Sequence, residues 1–391
     1  MRIIVTSDNH LNAYYAKMTP RQLEVRRKRI RDGWQQVVDY AVETRADVLL
    51  QAGDLFDMPD PRTTELVSAA RDFNRLKEAG VRVFAIGGTH DMHRIASDGA
   101  LVLRIYQETG LIRVFHRTLD PEPEVIDLHG FRVAIGGISV DHRLSRESNP
   151  LEGVEYKVEA DYRILMLHYG VEGDIHPDAN EPILKKDALA ELEVDLVVVG
   201  HVHTARKSGV GKMTILVPGS TERHTFGERG VVPGFWELKV GPSGLQGAKN
   251  LPVSAQPMNE MVVRSTEMPD ENPTEYVIDR IRQESDPDQM LKCRLEGPIS
   301  QERFHKLRLR EVFQLGNDLN FYFELDSRQL MVSDPTRIVT DAPESVAISQ
   351  KAEIQAAAYA LSQSADNGED KALWEEAARL ALSRYQGEET G

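Results

Sequence analysis

The sequence predicts an α/β protein with mixed sheets flanked by helices, and three observations carry that expectation. Near-continuous apolar strands alternate with helical stretches through the first 90 residues. Two later apolar strands each run straight into a histidine, and a smaller β-α-β-α-β set follows nearer the C-terminus. Strands apolar on both faces and separated by helices mark parallel pairing with both faces covered.

Taken in order, Arg2–Thr6 is a β-branched run followed by polar Ser7-Asp8-Asn9-His10, a buried strand leading into a loop. Thr19-Pro20 opens a long helix to about Thr44, with proline at an early position where its missing N–H does no harm. Residues 46–52 form a second strand ending at Gly53-Asp54. Residues 63–79 are helical, closed by Gly80, and 81–86 form a third strand ending at Gly87-Gly88. The alternating runs 124–128 and 131–135 suggest antiparallel pairing at Gly130. Residues 163–167 and 194–199 return to apolar strands that enter His168 and Gly200-His201. The stretch 252–257 reads as a linker into the small set: strands at 261–265, 290–295 and 320–325, with helices at 273–284 and 300–312. Residues 334–343 read as a second linker, and 348–364 with 369–385 as a helical hairpin. The expected organisation is therefore 1–250, 258–333 and 345–391.

The chain has 391 residues, 41% hydrophobic and 28% charged, which excludes a disordered or fibrous class and allows two or three domains. No apolar run approaches the roughly 20 residues of a membrane helix. Ile3-Ile4-Val5 is too short for a signal-peptide core, so a cytoplasmic protein with no membrane partner is expected. The one cysteine, Cys293, permits no intrachain disulfide. A net charge of −15 argues, taken alone, against a nucleic-acid partner. The charge is unevenly spread, however. Residues 1–50 hold nine Lys/Arg against six Asp/Glu, and 201–250 seven against three, whereas 151–200 hold four against twelve. The excess acid lies mainly away from the blocks carrying Asp8, His10, His201 and His203, so a DNA substrate is not excluded.

The loops after the principal strands share a small alphabet: Asp8-x-His10, Gly53-Asp54-x-x-Asp57, Gly88-Thr89-His90-Asp91, His168 and Gly200-His201-x-His203. Ligands bind at the carboxyl ends of strands in open α/β sheets, so Asp8, His10, Asp54, His90, His168, His201 and His203 converge on one edge. Two Asp and several His without cysteine suit Mn²⁺, Fe²⁺ or Zn²⁺. The set exceeds what one ion needs, and two ions bridged by a carboxylate account for it better. Asp-x-His, a lone His or Gly-Asp after a strand is commonplace, and the more specific Gly-His-x-His could be a single structural metal site; their conjunction at five strand ends is not commonplace.

These residues resemble the calcineurin-like metallophosphoesterase superfamily, with its D-x-H, G-D-x-x-D, G-N-H-D/E, H and G-H-x-H motifs. Within it the sequence is most similar to the SbcD-type nuclease subunit of double-strand-break repair complexes (the meiotic recombination eleven family). GDLFD at 53–57, ILMLHYGV at 164–171, VPGSTERHTFGE at 217–228 and PGFWELKV at 233–240 carry that likeness. The resemblance implies a metallophosphoesterase sandwich, a small α/β capping domain for DNA positioning at 258–333, and a C-terminal helical segment for docking an ATPase. It implies that Asp8, His10, Asp54 and His203 hold one ion, and that Asp54, Thr89, His168 and His201 hold the other. Asp54 would be the bridge, and His90 would meet the scissile phosphate and protonate the leaving group. The implied activity is a DNA exonuclease or endonuclease using two divalent ions, Mn²⁺ first, as a homodimer with an SbcC-type coiled-coil ATPase. A phosphatase or small-molecule phosphodiesterase, or a catalytically weakened DNA-end-binding subunit, are the rival readings.

One position departs from the pattern: Thr89 stands where the family has asparagine. A hydroxyl is a shorter and weaker ligand than an amide carbonyl, which loosens the second ion's site. Among weaker signals, Gly209-Val-Gly-Lys212 lacks the flanking residues of a phosphate loop and is rejected. The basic run Arg26-Arg27-Lys28-Arg29-x-Arg31 reads as a solvated helix face, a phosphate contact or part of a dimer interface. Arg223 and His224, after the Pro218-Gly219-Ser220 turn, are candidates together with Ser220 to position a phosphate, or else to hydrogen-bond internally.

Overall fold

The computed structural model describes residues 1–93, 101–128, 130–173 and 180–333. In chain order β1 (Arg2–Thr6), α1 (Pro20–Glu43), β2 (Val48–Gln51), α2 (Thr63–Glu78), β3 (Arg82–Ile86), the short α3 (Arg104–Glu108) and β4 (Arg113–Phe115) build a parallel sheet. β5 (Glu124–Leu128) and β6 (Phe131–Gly137) pair antiparallel around Gly130, as expected, and β7 (Tyr162–His168) lies parallel to β6. A short ribbon of β8 (Gly170–Val171) and β9 (Ile183–Leu184) precedes α4 (Lys186–Ala190). β10 (Leu196–Gly200) then pairs in parallel with β7, and the hairpin β11 (Arg206–Val210) with β12 (Met213–Val217) extends this second sheet. Gly211, at a φ of 58°, makes the hairpin's turn, so the 209–212 stretch is a turn and no phosphate loop. β13 (Gly234–Gly241) returns antiparallel to β1 and carries β14 (Gly244–Pro252) on its far side. The sheets run β14-β13-β1-β2-β3-β4 and β11-β12-β10-β7-β6-β5.

Why the strands read as unbroken apolar runs is now plain. Ile3, Val5, Leu50 and Ile86 face Ile135, Ile164, Met166 and Val198 in a core between the two sheets. The alternate residues Ile4, Leu49 and Val83 pack outward on Ile30, Trp34 and Phe73 of α1 and α2. Leu165, Leu167, Val197 and Val199 pack on the outer side of the second sheet with Leu184 and Leu189. With period-two alternation and both faces covered, every position is apolar.

The helix α1 starts at a capping box: Gln22 N–H donates to the Thr19 hydroxyl, and Gln22 Oε1 accepts from Thr19 N. The basic run on this helix is a solvated face only in part: Lys28 is exposed, and the other four cations are wholly or partly buried. Arg26 and Arg27 are buried; Arg27 Nε donates to the Ala13 carbonyl at 3.1 Å and Arg26 enters a network with Glu222. Lys28, Arg29 and Arg31 pair with Asp32, Asp288 and Glu65. Each cation of the run therefore has an acceptor within the chain.

Where α2 meets α1, the buried Asp72 accepts a hydrogen bond from Trp34 Nε1 at 3.0 Å and lies 3.6 Å from Arg75 Nη1. Burial pushes its carboxyl up to about 6, although Arg75 and the indole pull the other way. The folded value lies above the ordinary 3.8, so the fold favours the protonated acid. That contribution to stability is full below about pH 3.8 and is lost as the pH rises through about 6. Asp72→Asn keeps an acceptor for the indole and should stabilise the protein on the order of 2 kcal/mol at about pH 8. Denaturant titrations at about pH 8 and below about pH 4 check this, the gain vanishing at the lower value.

Beyond β14 the chain makes β15 (Met258–Arg264), α5 (Pro273–Glu284), β16 (Met290–Ser300), α6 (Gln301–Lys306), α7 (Leu309–Leu319) and β17 (Tyr322–Ser333). The three strands are parallel in the order β15-β16-β17 around Val263, Val277, Leu291, Cys293 and Phe323. The single helix expected over 300–312 is in fact two. Thr274 of α5 divides them: its hydroxyl donates to the Lys306 carbonyl at 2.7 Å and accepts from Arg308 N–H at 2.9 Å, while Leu307 turns into the core. The 252–257 stretch is a packed joint, with Gln256 buried and held by Arg26, Glu222 and the Asp288 carbonyl. The second linker and the helical segment expected over 345–391 lie outside the described residues. No helix among the described residues is long and apolar enough to cross a membrane.

Candidate metal centre

The loops after β1, β2, β3, β7 and β10 meet at the carboxyl edge of the facing sheets, and unusual backbone brings them there. Asp8, His10, Asp54 and His201 have φ of 50°, 46°, 53° and 84°, a left-handed conformation that non-glycine residues adopt at a cost and that clusters at functional sites. Glycines make room for the side chains: a Cβ on Gly88 would stand 2.2 Å from Asp54 Oδ1, and one on Gly53 2.3 Å from His168 Nδ1. Asp91, also buried, staples two loops by accepting from the Phe56, Gly88 and Leu55 amides at 2.8, 3.1 and 3.2 Å. Burial and the neighbouring Asp54 charge raise its carboxyl to about 7.

Two ligand clusters share Asp8. The donor atoms of Asp8, His10 and His203 lie within 4.8 Å of one another, and so do those of Asp8, Asp54 and His168. Asp54 joins them: its Oδ2 lies 3.1 Å from His168 Nε2 and 3.9 Å from His10 Nε2. His10 Nε2 and His203 Nε2 stand 3.2 Å apart. The residues expected at the first ion thus converge, and of those expected at the second, Asp54 and His168 lie together. Thr89, His168 and His201 line an adjoining cavity of about 270 Å³.

The donor set fits divalent ions on its own chemistry. His168 Nε2 is fully buried and makes no hydrogen bond, while its Nδ1 is 2.8 Å from the Ala52 carbonyl. That contact fixes a proton on Nδ1 and turns Nε2 toward the carboxylates, so Nε2 is the nitrogen that would serve a metal once its own proton is displaced. His10 Nδ1 likewise meets Asp57 Oδ1 at 3.0 Å, and His203 Nδ1 meets Glu228 Oε1 at 3.3 Å. Burial lowers the His10 and His168 pKa values. Asp57, Asp54 and Asp8 outweigh it at His10, raising it to about 9; Asp54 and Asp8 do so at His168, raising it to about 10. Burial would raise Asp54, yet the His168 and His10 charges hold it far below the usual carboxylate range. Carboxylates and imidazoles this close exchange bound protons for bound cations.

His90 sits half-exposed at the rim, its backbone N–H donating to Asp54 Oδ1 at 2.7 Å and its Nδ1 3.1 Å from the Asp57 carbonyl. The other sequence candidates are engaged internally. Ser220 is buried and donates to the Glu222 carbonyl at 2.6 Å, and Arg223 donates through Nε to Val231 and through Nη1 to Gln256 carbonyls. These contacts favour the internal hydrogen-bonding reading of both residues. His224 packs its ring against those of His10 and His203 at 4.6 and 5.3 Å, and burial with these neighbours pushes its pKa down. Asp57 belongs to the G-D-x-x-D motif and its histidine contact could be anticipated. Glu181 and Glu228 stand outside every metal motif, and spacing alone does not find them.

Residues 1–205, a little over half of the chain, match the calcineurin-like phosphoesterase family, and the chain belongs to that family of metal-dependent hydrolases. Among its relatives, the DNA double-strand break repair protein Mre11 of Methanopyrus kandleri is 29% identical over 259 residues, covering 63% of this chain and 55% of that protein. The protein of the same name from Sulfolobus acidocaldarius is 24% identical over 307 residues, 76% of each chain. The uncharacterised metallophosphoesterase YhaO of Bacillus subtilis is 28% identical over 195 residues, 50% of this chain and 46% of the other. The chain thus spans little more than half the length of the Methanopyrus relative it matches.

Proposed function

We propose that this chain is a DNA nuclease that hydrolyses phosphodiester bonds with two divalent ions, Mn²⁺ foremost, and works as a homodimer with an SbcC-type ATPase in end processing. The observation that carries the reading is the position of Asp54 between His10 and His168, which supports two adjacent ions rather than one. The names of the archaeal relatives support DNA as substrate, and the parallel β15-β16-β17 unit beside the phosphoesterase sheets supports a capping role for residues 258–333. An N/O donor set with no cysteine suits Mn²⁺; Cys293 lies in the core of the small unit.

Asp8, His10, Asp54 and His203 would hold one ion, and Asp54, Thr89, His168 and His201 the other. When bound, such a pair supplies Lewis acidity and a water of lowered pKa at phosphorus. The chain's own part is orientation and proton movement. Asp57, the Ala52 carbonyl and Glu228 fix which nitrogen each imidazole presents. His90, with Nδ1 held by the Asp57 carbonyl, keeps Nε2 for the departing oxygen and can give it a proton.

Digestion of end-labelled single- and double-stranded DNA with Mn²⁺, run beside nucleotides and a chromogenic phosphoester, tests the assignment. Preference for DNA is expected; turnover of the small esters alone would make the chain a phosphatase. Thr89→Asn is expected to tighten the second ion on the order of tenfold and to raise turnover. Metal titration of both proteins checks this, and unchanged affinity and turnover would mean that Thr89 does not weaken the site.

A further inference from the structure

We propose that Glu181 is the positioning carboxylate of the second ion: it holds the His201 imidazole through Nε2, leaving Nδ1 for the ion, and brings negative charge to the wall where Thr89 replaces asparagine. Glu181 Oε2 lies 2.8 Å from His201 Nε2. Glu181, Thr89, His168 and His201 line the same cavity of about 270 Å³. The residue stands two positions before β9, and pairing of β9 with β8 ties it to the chain immediately after His168.

The geometry has a chemical meaning. A carboxylate accepting from one imidazole N–H fixes the tautomer, orients the ring and makes the other nitrogen more basic. His10, His168 and His203 each carry an outer acceptor, in Asp57, the Ala52 carbonyl and Glu228. Glu181 completes that ring for His201. Its charge also matters locally, because the carboxylates near the second ion, Asp54 and Asp8, both also belong to the first ion's surroundings, and position 89 offers it a neutral hydroxyl. Glu181 is only partly exposed, so its attraction for a dication is less screened than that of a surface acid.

Glu181 has this role only within the two-ion reading, and the test separates the two. Mn²⁺ alone is titrated calorimetrically into the metal-stripped full chain, with low-temperature electron paramagnetic resonance recorded in parallel. The wild-type protein is expected to take two ions and give the spectrum of a coupled pair. Glu181→Ala should keep the first ion and bind the second about 10- to 100-fold more weakly, the coupled spectrum giving way to that of isolated ions. Glu181→Gln, whose amide oxygen can still accept from Nε2–H, should fall between them. Adding Thr89→Asn to Glu181→Ala should restore the second ion. Two ions in wild type with unchanged second-ion affinity in both Glu181 variants would overturn the role of Glu181. One ion or none in the wild-type protein would overturn the two-ion reading and this role with it.

Discussion

Asp54→Asn is expected to abolish metal-dependent phosphoester hydrolysis, with a rate loss of at least about 10³-fold and a folded protein. The side chain is buried and reaches imidazoles belonging to both ligand clusters, at 3.1 Å for His168 and 3.9 Å for His10. Asparagine has nearly the same shape, so the space beside Gly88 still accommodates it and its Oδ1 can still accept from His90 N–H. What it lacks is charge. If Asp54 serves two dications, as proposed, a neutral amide would offset their mutual repulsion far less than a carboxylate would. Mn²⁺-dependent cleavage of end-labelled DNA, metal stoichiometry and circular dichroism measure the three consequences separately. Retained activity with two bound ions would transfer the bridging role to Asp8, the other carboxylate common to both clusters.

The strand-end ligands were legible because chemistry and chain geometry coincide there. A buried parallel strand is mostly apolar, so the polar residues at or within three positions of its end mark the cleft, as Asp8, Asp54, His168 and His201 do. The long helix from Thr19 was legible because its stop and start signals are local. Interactions that depend on distant pairing were not. Thr274 divides α6 from α7 across a separation of about 30 residues, and no periodicity within 300–312 encodes that. Glu181 and Glu228 meet their histidines 20 to 25 positions away, outside the five metal motifs. The basic run of α1 was legible only in part for the same reason: Lys28 is solvated, but the acceptors that draw in Arg26, Arg27, Arg29 and Arg31 lie on other segments.

Arg26 gives that last case its energetic test. Its guanidinium and the Glu222 carboxylate are buried, 3.1 Å apart, and Arg26 Nη1 also donates to Gln256 Oε1 at 3.0 Å. Its Nη2 donates to the Arg223 carbonyl and approaches the Tyr15 hydroxyl, which in turn lies 3.3 Å from His224 Nδ1. Removing one partner of such a pair strands the other in a poorly solvating interior, so Arg26→Met is expected to destabilise the protein by about 3–5 kcal/mol. Lysine would not rescue it, since an ammonium cannot span acceptors that a planar fork reaches together. Neutralising the stranded acid as well, in Arg26→Met with Glu222→Gln, should recover most of the loss, because desolvation of the lone carboxylate is its main source. The exposed pair Lys28–Asp32 on the same helix is the internal control: Lys28→Met should change stability by no more than about 0.5 kcal/mol. Urea denaturation midpoints at constant slope measure all of these. Equal small effects at Arg26 and Lys28 would return the whole run to the solvated face that its sequence suggests. A large effect confined to Arg26 would instead make it the tie between α1 and the loop that seats His224 against His10 and His203.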